Sequence, residues 1–286
     1  MERSTDGAGR PRASRAAGLR GRADSAGGRQ PAAPPARGGG PGTSGGPPVG
    51  RPAVDDDAEP GELPDLVRRE LRSLPPALAE RVGKHLVMAG RLVGADPEAA
   101  YEHGRAAREL ASRIAPVREA AGVTAYRAGR YAEALAELRA ARRMTGLPDY
   151  LPMMADCERG LGRPDRALVL AGEADATRLD RAGLVELRIV AAGARRDLGQ
   201  LDAALMMLQG PDLEPAVVED WTPRLWYAYA DVLLASGRTE EALEWFRAAA
   251  EVDDDDLTDA EQRFLALSPD ADGGRSVVPL PGERAE

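Results

Sequence analysis

A glycine followed five residues later by an alanine recurs along the chain, at Gly129/Ala134, Gly162/Ala167, Gly199/Ala204 and Gly237/Ala242. The glycines stand 33, 37 and 38 residues apart, and an earlier, more degenerate pair, Gly94/Ala99, lies 35 residues upstream. A period of this length accommodates one helical hairpin, and hairpins repeated in register stack on one another. Residues 118–141 show the unit most clearly. Ala121, Gly122 and Ala125 put small side chains on one face of a first helix, where a second helix can approach closely. Gly129 falls where that helix must stop, because a left-handed C-terminal residue costs glycine least. Tyr131, Ala134, Leu138 and Ala141 then recur at intervals of three and four, the apolar stripe of a second helix.

The last copy repeats the plan with larger side chains. Trp226, Tyr229, Ala230 and Leu233 form the first stripe, Gly237 the turn, and Ala242, Phe246 and Ala249 the second stripe. The middle copies keep Met154, Ala155, Gly162, Ala167 and Ala171, and then Ala191, Ala192, Gly199, Leu201, Ala204 and Leu208. Trp226-x2-Tyr229-Ala230-x2-Leu233 and Ala242-x3-Phe246 resemble the tetratricopeptide repeat, whose pattern is Trp-x2-Leu-Gly-x2-Tyr followed by Ala-x3-Phe. The resemblance covers about two thirds of the chain and implies an all-α fold. The expected architecture is a right-handed α-solenoid of about four to five helical hairpins with end-capping helices. Residues 62–74 supply an amphipathic helix for one end, with Leu63, Leu66, Val67 and Leu71. At the other end Thr258 and Glu261 form a capping-box pattern before Phe264, Leu265 and Leu267.

Composition divides the chain at its ends. Residues 1–54 hold nine arginines against three acidic residues, a net charge of +6, so the remainder carries −15 within a total of −9. Gly, Pro, Ala, Ser and Arg make up almost all of this stretch, too little apolar surface to offset the entropy of ordering. The domain reading is a disordered arm over 1–62, a repeat domain over 63–268 and a disordered tail over 269–286. Cys157 is the single cysteine, which excludes an internal disulfide and favours a reducing compartment. The N-terminus has no apolar signal-peptide region and the chain has no 18-residue apolar run, so a cytoplasmic location and no membrane contact are expected. Asn is absent and Lys84 is the only lysine. Both residues need AT-rich codons, which points to a high-GC bacterium of the actinobacterial kind.

The residue types that carry chemistry are sparse. His85 and His103 are 18 residues apart with no cysteine cluster near either, and read as helix-surface or groove histidines. Cys157 reads as a packing residue, and Met153, Met154, Met206 and Met207 as parts of helical core stripes. The acidic runs 55–57 and 253–256 lack the alternating ligands and central glycine of a calcium loop and read as solvated linkers. Neither a phosphate-binding glycine loop nor a nucleophile elbow occurs. The expectation is a protein that is not an enzyme and has no metal, cofactor or catalytic residue.

The resemblance also implies where a partner would bind. In tetratricopeptide-repeat proteins the first helix of each hairpin lines a concave groove that takes a peptide or helix of another protein. Transferred to this sequence, the groove candidates are Arg81, Lys84, Arg91, Glu119, Val123, Tyr126, Asp156, Arg159, Glu186, Ile189, Arg196, Tyr227 and Asp231. The family's carboxylate clamp uses asparagines, and this chain has none. The expected function is therefore a protein–protein scaffold or adaptor. The alternative is a nucleic-acid-associated protein that neutralises phosphates with Arg10, Arg12, Arg15, Arg20, Arg22, Arg29 and Arg37 of the arm, which carries no aromatic for base stacking. The arm could also meet the acidic body, within one chain or between chains, giving self-association.

Overall fold

The computed structural model describes residues 51–173, 178–213 and 218–268. These residues form twelve α-helices: α1 (Asp65–Leu71), α2 (Pro76–Leu92), α3 (Pro97–Ala111), α4 (Ala115–Arg127), α5 (Tyr131–Thr145), α6 (Leu151–Gly160), α7 (Pro164–Gly172), α8 (Arg181–Asp197), α9 (Leu201–Leu208), α10 (Thr222–Ala235), α11 (Thr239–Glu251) and α12 (Ala260–Leu267). Helices α2 to α11 pair in sequence order as five antiparallel hairpins. Helix α1 precedes them, and α12 packs on α11. The all-α solenoid expected from the repeat is what forms.

The glycine–alanine cadence has a direct structural meaning. Gly129, Gly162, Gly199 and Gly237 all have positive φ, between 70° and 78°. At each turn the glycine N–H donates three residues back and the next N–H donates five residues back, as in Arg130 to Ala125 and Arg238 to Leu233. This is the Schellman arrangement, which satisfies carbonyls that a helix end otherwise leaves bare. The residue after the glycine then accepts the first bond of the second helix, and its donor is the cadence alanine, as in Ala134 to Arg130 and Ala242 to Arg238. All four of these alanines are fully buried. Gly94 does not share the conformation, and Asp96 instead caps α3 by accepting from the Ala99 N–H at 3.0 Å. Gly129→Val should therefore destabilise by about 1–2 kcal/mol, the cost of a left-handed side-chain-bearing residue. Gly94→Val should cost much less, and urea denaturation of the two variants checks the difference.

Small residues also set the helix–helix distances. A Cβ on Gly122 of α4 would lie 2.6 Å from the Leu138 side chain of α5, and one on Gly160 would lie 2.5 Å from the Tyr131 ring. Between hairpins, a Cβ on Gly104 of α3 would meet the Ala121 backbone of α4 at 3.3 Å and the Thr124 side chain closer still. The core runs along the stack as successive clusters, of which the last is built on Tyr227, Tyr229, Leu233, Ala242 and Phe246.

Several expectations need correction at the ends of the array. The expected arm boundary at residue 62 falls inside packed structure. Val54 and Ala58 pack with Val87 and Met88, and Ala58 is fully buried. A 3-10 turn at Pro60–Glu62 brings Pro60 against Gly83, where a side chain on α2 would block it. Residues 1–50 and 269–286, the rest of the expected arm and the tail, lie outside the described residues. At the C-terminal end Thr258 and Glu261 do not form the expected capping box. Asp253, expected in a solvated linker, accepts from the Leu257 and Thr258 N–H groups and from the Thr258 hydroxyl, each at 2.7 Å. Met206, expected in the core, is exposed at the surface of α9, whereas Met154 is buried.

Candidate partner-binding face

The first helices of successive hairpins carry a continuous row of polar contacts. Tyr126 of α4 donates its hydroxyl to Asp156 of α6 at 2.6 Å. Asp156 pairs with Arg159 of its own helix at 2.8 Å, and Arg159 reaches Asp197 of α8 at 2.9 Å. Arg196 of α8 lies 3.6 Å from Asp197 and pairs with Asp231 of α10, which also meets Arg263 of α12 at 3.1 Å. A second link joins Glu186 of α8 to Arg224 of α10. The row thus crosses α4, α6, α8, α10 and α12 without a break.

Local sequence explains the register. Tyr126, Arg159 and Arg196 each stand three residues before a cadence glycine, while Asp156 and Asp231 stand six before one. Positions three apart share a helix face, so every repeat presents this pair of positions on the same side. In α8 the residue six before the turn is Gly193. A Cβ there would sit 2.6 Å from the Arg159 guanidinium, so the missing side chain is what admits Arg159 to Asp197. Burial and the Asp156 carboxylate push the Tyr126 phenol well above its ordinary range. Burial opposes the charge on Arg159, but Asp156 and Asp197 more than offset it and keep it firmly cationic.

Of the thirteen groove candidates, the structure joins Tyr126, Asp156, Arg159, Arg196 and Asp231 in this row and places Glu186 beside it. Ile189 is half-buried and packs on the last hydrophobic cluster. Three candidates are buried: Glu119, whose carboxylate accepts from the Tyr150 hydroxyl at 3.4 Å, Val123 and Tyr227. Val123 packs with Val93 and Ala100, and Tyr227 meets Phe246 edge to face at 5.4 Å. Arg91 is held by the chain's own N-terminal segment, through Asp57 at 2.9 Å and Glu62 at 2.8 Å. Lys84 is half-buried beside Glu80, and Arg81 is exposed. Asp197, Gly193 and Arg263 belong to the row and were not among the candidates. Asp197 lies off the two repeated positions, Gly193 occupies one of them but has no side chain to signal a role, and Arg263 sits on a helix with no cadence glycine.

His85 and His103 are a further correction. They are not surface or groove histidines: both are buried, with their Nδ1 atoms 3.1 Å apart. Cys157 is fully buried as expected, and burial beside Asp156 and Glu158 pushes its thiol far up, which keeps it protonated and unreactive. Among the described residues no helix is long and apolar enough to cross a membrane.

The family model of the tetratricopeptide repeat matches residues 223–267, which span α10 to α12. Comparison with curated proteins gives no match. Among solved structures the chain is similar to a thermophilic tetratricopeptide-repeat protein of Thermus thermophilus. The TM-score is 0.51 at 22% identity, over 65% of this chain and 98% of that one. At that identity the likeness concerns the fold. Residues 223–267 thus match a tetratricopeptide repeat by sequence, and the stacked hairpins as a whole are similar in fold to a tetratricopeptide-repeat protein.

Proposed function

We propose that the chain is a non-catalytic scaffold that holds a segment of another protein against the face formed by its first helices. The observation that carries this reading is the unbroken row from Tyr126 to Arg263. It fixes polar side chains of five alternate helices, α4, α6, α8, α10 and α12, side by side, which gives an extended segment a preorganised surface. Because each guanidinium in the row already meets a carboxylate, the face offers geometry more than net charge. A partner with mixed polar and apolar character suits it.

Affinity purification of the full chain from its native cell tests this. Arg81→Glu/Lys84→Glu alters the face near its N-terminal end, and Arg159→Gln breaks the row between α6 and α8. Both are expected to reduce the captured partner several-fold, while circular dichroism shows an intact helical fold. Absence of any co-purifying protein, or equal capture by both variants, would count against the scaffold reading. The nucleic-acid alternative rests on the charge of the arm. It requires that deleting residues 1–50 abolish salt-sensitive binding to DNA or RNA.

A further inference from the structure

Beyond the first-helix face, a second surface lies on the other flank of the stack. A cavity of about 400 Å³ opens where α5 ends, α6 begins and α7 ends, and its floor is Leu151, Met154 and Leu170. Leu151 and Met154 lie on the opposite flank of α6 from Asp156 and Arg159, by the 100° turn per residue of an α-helix. Around this apolar floor stand Arg139, Arg142, Arg143 and Arg178, against a single lining carboxylate among the described residues, Glu173.

The arginines are incompletely neutralised. Arg142 pairs with Glu173 at 2.9 Å. Arg139 reaches the buried Glu158 at 2.7 Å, but Arg163 also stands 3.6 Å from that carboxylate. Arg178 donates to the Gly146 carbonyl, which occupies the guanidinium without cancelling its charge. Arg143 is exposed and has no partner among the described residues. Arginines at a helix C-terminus can simply answer the helix dipole, and α5 and α7 both end here. Those two ends contribute roughly −0.5 each, and the start of α6 returns about +0.5. With Arg163, Glu158 and Glu173 counted, the described residues of the site keep a surplus of roughly two and a half positive charges. The first-helix row has no such surplus.

We propose that this cavity binds an acidic segment of a partner protein, with an apolar side chain seated on Leu151, Met154 and Leu170 and flanking carboxylates on the arginine rim. Arg143 and Arg178 provide the guanidinium groups not already committed to a carboxylate. The fork geometry of arginine suits a carboxylate pair of this kind. The cavity falls within the range of about 300–1,000 Å³ that encloses a small ligand or an anchoring side chain. This surface is separate from the first-helix face, so either can fail without the other.

Fluorescence anisotropy of the full chain with a fluorescein-labelled peptide of alternating aspartate and leucine tests the site. Saturable binding is expected, weakening several-fold as salt rises from about 0.05 to 0.3 M because exposed charges are screened. Arg143→Glu should weaken it by about tenfold or more, Arg143→Ala by less, and Arg81→Glu on the other face not at all. Arg143 makes no described ion pair, so Arg143→Ala should leave the melting curve nearly unchanged, and Arg143→Glu should lower it only slightly, because a carboxylate at the end of α5 opposes the helix dipole. No saturable binding by the unaltered chain would overturn the proposal. So would equal affinity after Arg143→Glu, or equally tight binding of a lysine–leucine peptide.

Discussion

Phe246→Ala is expected to lower the unfolding free energy by about 3–5 kcal/mol, the cost of deleting a buried aromatic ring and leaving its cavity. Phe246 is fully buried in α11, edge to face with Tyr227 of α10 and below the Arg263 guanidinium of α12, whose Cζ lies 5.2 Å from the ring centroid. It thereby joins the last hairpin to the terminal helix. Whole domains are stable by only about 5–15 kcal/mol, so this single change consumes a large share. In a stacked array the loss falls on nearest neighbours, which here means α10, α11 and α12. The three tryptophans, Trp221, Trp226 and Trp245, all lie in this region, so fluorescence reports the last hairpin and circular dichroism the whole stack. The variant should lose fluorescence at a lower urea concentration than it loses helicity. Coincident transitions at the unaltered midpoint would show that Phe246 does not hold the end of the array.

The register of the hairpins was legible in the sequence because its two signals are local. A glycine that must turn left-handed and an alanine that must be buried are each set by the backbone within one turn of helix, so Gly129 and Ala134 identify their own positions. The degenerate first copy behaved differently for the same reason: Gly94 is followed by Asp96, whose side chain caps α3 and leaves no need for positive φ. The candidate face was only partly readable. Tyr126, Arg159 and Arg196 share a repeat position and emerge in one row, but Val123 and Tyr227 turn inward, because helix rotation within a hairpin depends on packing against its neighbour. Gly193 was missed because its contribution is the absence of a side chain. The acidic stretch before residue 62 was assigned to the arm from its composition. Its anchoring depends on three distant groups, Gly83, Val87 and Arg91, which composition cannot register.

The histidine pair had a signal of its own: His85 and His103 stand nine residues on either side of Gly94, and residues equidistant from a hairpin turn face each other. At an Nδ1 separation of 3.1 Å, one ring donates Nδ1–H and the other accepts, which requires the acceptor to be neutral. Burial is the main cause holding His85 down at about 4, with His103, Arg51 and Arg81 adding to it. Burial also lowers His103, opposed by Asp55 and Glu102. Groups depressed in the folded state are neutral in both states at pH 7 and contribute nothing against folding there. As pH falls through the unfolded value near 6.5, the unfolded chain takes up protons that the buried pair refuses, and stability drops until about pH 4, where His85 also protonates. At about 1.4 kcal/mol per unit, His85 accounts for a loss on the order of 3 kcal/mol between those limits. Urea denaturation at pH 7, 5.5 and 4.5 should show this fall. His85→Leu/His103→Leu should remove most of it, and the difference between the two proteins separates the histidines from carboxylates that titrate at the acid end. The first hairpin and the segment packed over it, from Arg51 to Ala58, should loosen first, which hydrogen exchange at α2 and α3 would reveal. Equal pH dependence in the two proteins would mean that burial does not hold the imidazoles neutral in the folded chain.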